Sequence, residues 1–346
     1  MKTVDTKIPV AGNLQHIMNL CVGLPSTFFG RVLNGPIHVQ IEPTSRCNLR
    51  CRMCVRNRAK NIDLPLNAFK QIIESLPTVR NIMLQGLGEP FINPDFLAMV
   101  TYATRNKRYV ATVSNGTLLQ GYSHAIAHSG LRYIGISLDS PHPHIFESIR
   151  EGSSFRMVVD NIEALVRASE GTPLDVALYV TLGTWNISDA GTFVRLADDL
   201  GIRHISLSTI VRMDTYVSLY KIEGRRDGRV LSATDLNSTV RTMKHEGSER
   251  GIRISFRSSG CLWPWLGLYV TVTGDVTPCC RIHDPSCPRV ANILQSPLRS
   301  FWNGPALVSL RRAILQGGPV PDYCQGCEKF ERGGPKALLQ HLRFRV

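Results

Sequence analysis

Short apolar runs alternate with stretches of helical periodicity from residue 36 to about residue 210. Short runs bounded by turn residues predict buried strands, whereas longer stretches with apolar positions every three to four residues predict helices. The predicted strands are Ile37–Ile41, Asn81–Leu84, Tyr109–Val113, Tyr133–Leu138, Asp175–Leu182 and His204–Ser208. The predicted helices are Asn67–Leu76, Pro94–Arg105, Leu118–Ser129, His144–Ala168 with an interruption at Gly152, and Ser188–Leu200.

This alternation amounts to about six βα units, which predicts parallel strands joined by right-handed crossovers. Six units are too few to close an eight-unit barrel. The pattern therefore predicts an α/β fold, a splayed partial (β/α)6 barrel of the TIM type. Because βα barrels carry their chemistry on the loops at the C-terminal ends of the strands, we expect functional residues there.

The chain on either side of the barrel lacks the regular alternation of strands and helices. Ser232–Glu249 predicts one more helix, beginning at a Ser-x-x-Asp cap. After Arg253, Cys, Pro, Gly and Trp concentrate, and helical periodicity returns only at Pro305–Leu315. We therefore predict an N-terminal helical extension (1–34), the barrel (35–255), a small C-terminal domain (256–332) and a tail helix (333–346). The interrupted apolar stretch Ile8–Leu33 is expected to pack on the core, with a substrate lid as the alternative.

Composition sets broad limits on the class of protein. The chain has 346 residues, of which 43% are hydrophobic and 19% charged, as in ordinary globular proteins. No apolar run reaches the roughly 18 residues of a membrane span, and the N-terminus does not resemble a secretory signal. Ten cysteines without an export signal predict a reducing, cytoplasmic location, where cysteines more often bind metal or do chemistry than form disulfides.

The formal net charge of +13 predicts affinity for anions. Lys and Arg are scattered along the chain, and no basic stripe interleaved with aromatic residues is present, so nucleic-acid binding is disfavoured. A carboxylated or phosphorylated small substrate fits the charge, and a basic surface without a specific role is the plain alternative.

Three closely spaced cysteines follow the first predicted strand. Cys47, Cys51 and Cys54 have the spacing C-x3-C-x2-C. Three thiolates on one loop can hold three irons of a [4Fe–4S] cube and leave the fourth iron without a protein ligand. An open position distinguishes a catalytic metal site from a closed structural one. A structural zinc site and a disulfide are the alternatives, although structural zinc would require a nearby fourth ligand.

This motif, with Met53 before its last cysteine, resembles the signature of radical S-adenosylmethionine (SAM) enzymes. The resemblance implies that SAM fills the open iron site. It further implies that the reduced cluster cleaves SAM to a 5′-deoxyadenosyl radical, which takes a hydrogen atom from the substrate. A reducing partner such as flavodoxin or ferredoxin is expected. The same resemblance implies a (β/α)6 fold.

Further residues at the predicted strand ends fit the same family. Gln85-Gly-Leu-Gly-Glu-Pro90 resembles its Gly-Gly-Glu-Pro motif, and Ser-x-Asp followed by Arg resembles another family pattern. An Arg suits a carboxylate because its planar fork binds one bidentately. Ordinary turns remain the alternative for the Gly-rich and Asn-Gly segments. The SAM-contacting residues implied by the resemblance are Met53, Gly88, Glu89, Ser114, Asn115, Ser137, Asp139, Arg150 and Thr181.

A second set of cysteines lies in the C-terminal region. Cys261-x12-Gly-x4-Cys279 is followed by Cys324-x2-Cys327, and Gly274-Asp275 predicts a hairpin turn. Four thiolates can complete one [4Fe–4S] cube. The arrangement resembles the Twitch form of the SPASM domain, which implies one auxiliary [4Fe–4S] cluster; a four-cysteine zinc site is the alternative.

Two cysteines in this region have no assigned partner in the motif. Cys280 and Cys287 are candidates for alternative ligands or hydrogen-atom donors, and ordinary thiols are the plain interpretation.

The overall resemblance favours small radical SAM enzymes of antibiotic biosynthesis, of the 2-deoxy-scyllo-inosamine dehydrogenase and cytosylglucuronate decarboxylase types. The resemblance to these enzymes implies a carbohydrate-like substrate, such as a sugar, an aminocyclitol or a sugar nucleoside. It implies that this substrate undergoes dehydrogenation, decarboxylation or epimerisation. Candidate acid–base or anion-binding residues are Glu42, Arg212, Asp214 and Tyr216.

A peptide-modifying maturase that makes thioether or carbon–carbon crosslinks is the second hypothesis. Only 35 residues precede the first strand, which favours a small molecule over a peptide because many maturases carry a longer N-terminal recognition domain. A non-enzymatic iron–sulfur electron carrier is the third hypothesis, and the SAM-type residues at the strand ends count against it.

Overall fold

The computed structural model describes residues 30–33, 35–54, 56, 61–209, 231–256, 261, 263–280, 287–316 and 318–324. The strands are β1 His38–Ile41, β2 Asn81–Leu84, β3 Tyr109–Ser114, β4 Tyr133–Ser137, β5 Asp175–Leu182, β6 His204–Thr209, β7 Arg253–Phe256, β8 Gly267–Val270, β9 Asp275–Thr277 and β10 Ala291–Asn292. The helices are α1 Leu66–Glu74, α2 Phe96–Arg105, α3 Ser123–His128, α4 Pro143–Ile149, α5 Phe155–Ser169, α6 Ala190–Asp199, α7 Ala233–Glu249, α8 Trp263–Leu266, α9 Leu298–Phe301 and α10 Pro305–Gln316.

The ten strands of the described residues form one sheet in the order β10-β9-β8-β1-β2-β3-β4-β5-β6-β7. The strands β1 to β7 pair in parallel with their sequence neighbours, and β8 pairs in parallel with the other side of β1. The strands β9 and β10 continue the sheet antiparallel. The α/β fold class with a mostly parallel sheet is therefore confirmed, and β7 and β10 are the two ends of the sheet.

The six predicted strands all lie where the hydrophobic pattern placed them, with shifts of at most one residue at either end. The strand β7 was not predicted, because it is a run of only four residues beside the predicted domain boundary, and none of them is fully buried. The helix predicted to begin at Leu118 begins at Ser123, since Gly121 adopts a left-handed conformation with φ of +76°. The break predicted at Gly152 is confirmed, with φ of +93° between α4 and α5.

The predicted cap of the helix after the sixth strand is also present. Ser232 Oγ accepts a hydrogen bond from the backbone N–H of Asp235 at 3.0 Å, which satisfies one of the unpaired donors at the start of α7. The predicted helices within 1–29 and 333–346 lie outside the described residues.

The two faces of the sheet differ in polarity. Alternate strand residues pack with the helices in one large apolar core; they include Val39, Ile41, Ile82, Leu84, Ile134, Ile136, Leu178, Val180, Ile205, Leu207, Leu268 and Val270. The residues between them form a second face, called here the polar face, which includes Gln40, Ser137, Tyr179, Thr181, Ser206 and Tyr269 beside the apolar Met83, Ala111 and Val113. A parallel sheet is normally apolar on both faces, so the polar face indicates a surface used for binding.

The predicted hairpin at Gly274-Asp275 is present between β8 and β9, and Gly274 has φ of +82°. Because β8 pairs with β1, the sheet runs without interruption across the boundary predicted near residue 255. The division of the chain into four segments stays a prediction. Among the described helices, none combines the length and apolar character needed to cross a lipid bilayer.

Candidate active site

The first cysteine loop leaves the C-terminal end of β1. Cys54 closes a tight turn by donating its backbone N–H to the carbonyl of Cys51 at 3.1 Å. The backbone N–H of Leu49 points at Cys47 Sγ at 3.5 Å, and the N–H of Arg56 points at Cys54 Sγ at 3.4 Å. Such N–H groups stabilise negative charge on sulfur, which fits thiolate ligands of a cluster.

Backbone hydrogen bonds hold this loop against the end of α4. The N–H groups of Arg50 and Arg52 donate to the carbonyls of Glu151 and Ile149, both at 2.9 Å. These contacts depend on the chain reversal at Gly152. The break between α4 and α5 therefore positions the cysteine loop, which gives the Gly152 break a role beyond separating two helices.

Burial raises the pKa of the Cys51 thiol to about 11, with the nearby Arg150 guanidinium acting in the opposite direction. Burial also raises the pKa of Cys47. Because iron binds the thiolate form, cluster assembly on this loop is coupled to the release of protons.

The glycine-rich turn after β2 packs directly on the cysteine loop. A Cβ on Gly88 would lie 2.2 Å from the carbonyl oxygen of Thr44 and 2.5 Å from that of Arg46, so only glycine fits there. The next residue, Glu89, donates its backbone N–H to the Arg46 carbonyl at 2.8 Å. Gly88 thus allows the turn and the cysteine loop to meet, and its predicted contact with SAM stays a prediction.

The Glu89 carboxylate lies at the centre of the strand ends and is only 2% exposed. It accepts hydrogen bonds from Ser114 Oγ at 2.8 Å, the Asn115 backbone N–H at 2.7 Å and the Phe91 N–H at 3.3 Å. Burial nevertheless raises the pKa of Glu89 to about 7. A buried carboxylate of this kind favours a cationic partner, and an ammonium group meets that need.

Asn115 joins this carboxylate to the cysteine loop. Its side-chain Nδ2 donates to Asn48 Oδ1 at 2.9 Å and lies 4.0 Å from Cys47 Sγ. Asn48 in turn donates to Thr117 Oγ1 at 2.8 Å. Asn48 and Thr117 were not among the predicted site residues, because the spacing of the cysteines says nothing about the side chains between them.

The residues predicted at the ends of β4 and β5 form a second part of the same region. Asp139 is fully buried; it pairs with Arg150 and accepts the Thr181 backbone N–H at 2.8 Å. Asn186 Nδ2 bridges the carbonyls of Asp139 and Thr181 at 2.8 and 2.9 Å. Burial alone would lower the pKa of Arg150, but the charge and hydrogen bond of Asp139 and the charges of Cys51 and Cys54 together outweigh it, and the pKa is raised. Arg150 therefore stays a cation beside the cysteine loop.

Two more predicted residues are placed but not linked to this network by the contacts above. Ser137 is buried at the end of β4. Met53 is partly buried beside Cys54. Their predicted contacts with SAM stay predictions.

Glu42 lies at the end of β1 and is 4% exposed. Its Oε1 accepts the Leu87 N–H at 3.0 Å and its Oε2 accepts the Val272 N–H at 3.2 Å. A Cβ on Gly86 would lie 2.3 Å from Glu42 Cγ. The structure therefore gives this candidate acid–base residue a bridging position between the glycine-rich turn and the β8–β9 hairpin.

The C-terminal cysteines gather around a small separate core. Trp265, Cys287, Leu310, Ile314 and Tyr323 form this core, called here the cysteine core, and Cys279 and Cys324 pack against it. Cys287 thus lies in the same core as the predicted ligands Cys279 and Cys324. The sequence alone had left the role of Cys287 open.

The pKa of Tyr323 is affected by the same cysteines. Burial raises its pKa, and Cys324, Cys287, Cys279 and Cys261 raise it further. Four thiols of the described residues therefore lie near Tyr323, and thiolates are the ligands that an iron–sulfur cluster needs, although no three Cys, His, Asp or Glu side chains of the described residues are placed to hold one metal ion.

Cys280 and Glu42 both lie near the fully buried Tyr269. Burial raises the pKa of Tyr269, and the charges of Glu42 and Cys280 raise it further. The other predicted residues, Arg212, Asp214, Tyr216 and Cys327, lie outside the described residues.

Comparisons with known proteins match two parts of the chain. Residues 41–197 match the model of the radical SAM superfamily. Residues 261–328 match the SPASM model, described as an iron–sulfur cluster-binding domain. The two matches cover the first cysteine loop with its strand-end residues, and the second set of cysteines.

Relatives and solved structures match over much of the chain. The GTP 3′,8-cyclase of Alkaliphilus metalliredigens is 25% identical over 281 residues, covering 76% of this chain and 86% of the relative. The antilisterial bacteriocin subtilosin biosynthesis protein AlbA of Bacillus subtilis is 26% identical over 318 residues, covering 84% and 67%. The crystal structure of Streptococcus suis SuiB bound to its precursor peptide SuiA has a TM-score of 0.70 at 15% identity, covering 92% and 75%, and shares the fold.

Proposed function

Since the chain carries a radical SAM domain followed by a SPASM iron–sulfur domain, we propose that it is a radical SAM enzyme that modifies a peptide. The two domains imply a SAM-binding [4Fe–4S] cluster and auxiliary iron–sulfur binding. When bound, these groups supply a carbon-centred radical from SAM that breaks C–H bonds, together with an acceptor for the electron left on the product.

The observation that carries the proposal is that the similarity to AlbA extends over 84% of this chain. The name of AlbA concerns the biosynthesis of a bacteriocin, and SuiB was crystallised with a precursor peptide. The polar face of the sheet supports the proposal, because it offers hydrogen-bonding side chains to a substrate. A carbohydrate-like substrate, favoured by the sequence alone, gains no support from these relatives.

Each part of the site has a proposed task. Cys47, Cys51 and Cys54 hold the SAM-binding cluster, and the loop N–H groups stabilise its charge. Glu89 and Gly88 receive the ammonium end of SAM, because the carboxylate is buried and only glycine allows the turn to lie so close. Ser114 and Asn115 orient the Glu89 carboxylate, and Asp139 holds Arg150 beside the cysteine loop.

The auxiliary cluster is assigned to Cys261, Cys279, Cys324 and Cys327. Among the candidate catalytic residues, Glu42 and Cys280 adjoin the polar face through Tyr269. Arg212, Asp214 and Tyr216 keep their sequence-based assignment as acid–base or anion-binding candidates.

A small anionic molecule is the second candidate substrate. The match to the GTP 3′,8-cyclase covers 76% of the chain, and a net charge of +13 would attract a phosphorylated or carboxylated compound. This candidate includes the carboxylated sugar nucleosides suggested by the sequence.

The test is formation of 5′-deoxyadenosine by anaerobically reconstituted protein, with and without candidate substrates. The panel holds short cysteine-containing peptides, GTP, uronate-bearing sugar nucleosides and aminocyclitols. We expect peptides to stimulate SAM cleavage and to yield a product lighter by two hydrogen atoms. Stimulation by a small molecule alone would overturn the peptide assignment.

The matched control is a Cys54→Ser variant, with Cys280→Ser alongside it. We expect the first to abolish SAM cleavage with every substrate, because one iron loses its ligand. Cys280→Ser leaves the SAM-binding cluster intact, so its effect isolates the contribution of Cys280 to product formation.

A further inference from the structure

Trp265 carries a buried polar group without a partner in the described part of the chain. The side chain is 6% exposed, and its indole Nε1–H is buried and makes no hydrogen bond there. A buried donor left unsatisfied carries an energetic cost. A Phe side chain would fill much of the same space without that cost. The indole N–H of Trp265 is therefore expected to have a hydrogen-bond acceptor.

The surroundings of Trp265 indicate the chemistry of that acceptor. Trp265 belongs to the cysteine core, in which its neighbours are otherwise apolar side chains, Tyr323, and the sulfur-bearing Cys279, Cys287 and Cys324. Cysteine ligands and bridging sulfides of an iron–sulfur cluster are anionic acceptors of hydrogen bonds. A bound cluster would bring such sulfur atoms into the core that holds the orphaned donor.

We propose that the indole N–H of Trp265 donates a hydrogen bond to a sulfur atom of the auxiliary cluster and thereby sets its reduction potential. The hydrogen bond strengthens as the cluster gains negative charge on reduction, because bonds to charged acceptors are the stronger ones. Trp265 therefore stabilises the reduced form and raises the potential. The inference rests on the auxiliary cluster and is independent of which substrate the enzyme modifies.

The chain provides a matched control two residues away. The Nε1–H of Trp263 is also buried and without a partner among the described residues. The ring of Trp263, however, packs over Gly267, where an added Cβ would lie 3.0 Å from it, and Trp263 is not part of the cysteine core. Substituting Trp263 removes a similar ring from the same short helix without removing the proposed donor.

The first experiment is a redox titration of the auxiliary cluster followed by electron paramagnetic resonance. It uses protein with the SAM-binding cluster removed by Cys47→Ser, Cys51→Ser and Cys54→Ser. We expect Trp265→Phe to keep its iron and sulfide content and to shift the midpoint potential downwards. We expect Trp263→Phe to leave the potential unchanged. An unchanged potential in Trp265→Phe, or equal shifts in both variants, would overturn the proposal.

A second measurement does not depend on the folding of Trp265→Phe. Protein labelled with 15N in the indole rings is reduced and examined by pulsed paramagnetic resonance. We expect a 15N hyperfine coupling to the auxiliary cluster that persists in Trp263→Phe, in Trp185→Phe and in Trp302→Phe. Since the chain has four tryptophans, that pattern assigns the coupling to Trp265, and its absence in the parent protein contradicts the proposal. No substrate is present in either experiment, so failure of the peptide assignment leaves the outcome unaffected.

Discussion

Arg150 and Asp139 form a buried ion pair in which Nε and Nη2 of the guanidinium lie 2.7 and 2.6 Å from the same carboxylate oxygen. The side chains of Arg150 and Asp139 are 9% and 0% exposed. The other carboxylate oxygen of Asp139 accepts the Thr181 N–H. The pair therefore ties the ends of β4 and β5 to the segment that holds the cysteine loop.

Asp139→Asn should destabilise the protein by about 3–5 kcal/mol, because the Arg150 charge would remain buried without its partner. The free energy of unfolding of the cluster-free protein in urea measures this loss. Asp160→Asn serves as the control: its pair with Arg156 is exposed, with side chains 48% and 82% accessible, and should contribute less than about 1 kcal/mol. Similar losses in both variants would contradict a structural role for the buried pair.

Gly88→Ala should separate the glycine-rich turn from the cysteine loop. The added Cβ would clash with two backbone carbonyls, which cannot move as a flexible side chain would. We expect a loss of about 1–3 kcal/mol in stability, typical of overpacking, and a larger loss of SAM affinity measured by calorimetry. Gly318→Ala is the control, since the nearest atom to its Cβ would lie 3.9 Å away. Unchanged SAM binding in Gly88→Ala would remove this turn from the SAM site.

SAM affinity should rise with pH through the neutral range. The pKa of Glu89 is about 7 because of its burial, and the SAM ammonium pairs with the ionised carboxylate. Below pH 7 a proton competes with SAM for Glu89, so each lower pH unit should weaken binding by up to about tenfold. Dissociation constants between pH 5.5 and 8.5 test this slope. Glu89→Gln should bind weakly at every pH, and a slope that survived in this variant would assign the effect to another group.

Tyr269→Phe should leave the stability unchanged or raise it. The Tyr269 hydroxyl is buried and has no partner among the described residues, so its removal relieves a cost of about 1–3 kcal/mol. Tyr133→Phe is the matched control, because the Tyr133 hydroxyl bonds to Ser206 on the neighbouring part of the polar face. That variant should lose about 0.5–1.5 kcal/mol. Thermal unfolding of both variants provides the comparison, and a destabilised Tyr269→Phe protein would show that the hydroxyl has a partner.

Stability should fall in acid through Asp175. Burial alone would raise its pKa, but hydrogen bonds and charges from His204 and Arg253 outweigh burial and lower it. An acid with a lowered pKa contributes stability above its unfolded pKa of about 4, and that contribution is lost as the pH falls further. Asp175→Asn should flatten the acid limb of the stability curve below about pH 4. Asp198→Asn, at the exposed pair with Arg203, should leave that limb steep.

The βα alternation and the first cysteine motif could be predicted because each depends on local spacing. Strand runs such as Asp175–Leu182 carry their pattern within a few residues, and the structure has the same bounds. The strand β7 was not predicted because it is only four residues long and lies beside the predicted domain boundary. The pairing of β8 with β1 was not predicted, because no local sequence pattern specifies a parallel partner strand so distant in sequence.

The candidate site also has residues that local motifs predict and residues that only tertiary contacts bring together. Glu89 and Asp139 were identified by their motifs, whereas Asn48 and Thr117 were not, since their contacts arise only when the loops after β1 and β3 meet. Cys287 lies in a loop without a motif, and its approach to Cys279 and Cys324 depends on tertiary packing. The orphaned indole of Trp265 is likewise a property of burial, which the sequence Trp263-Pro-Trp265 does not specify.

The position of β1 between β2 and β8 affects the order in which the protein is completed during synthesis. Ile41 pairs with Leu84 on one side and with Val270, more than two hundred residues later, on the other. One edge of β1 therefore stays open on the ribosome until most of the chain has emerged, and contacts of such long range slow folding. The nascent cysteine loop at the end of β1 gains its finished surroundings only when the SPASM region is being made. Both iron-binding regions are thus completed late and together, so a chain released early from the ribosome would have neither in its final form.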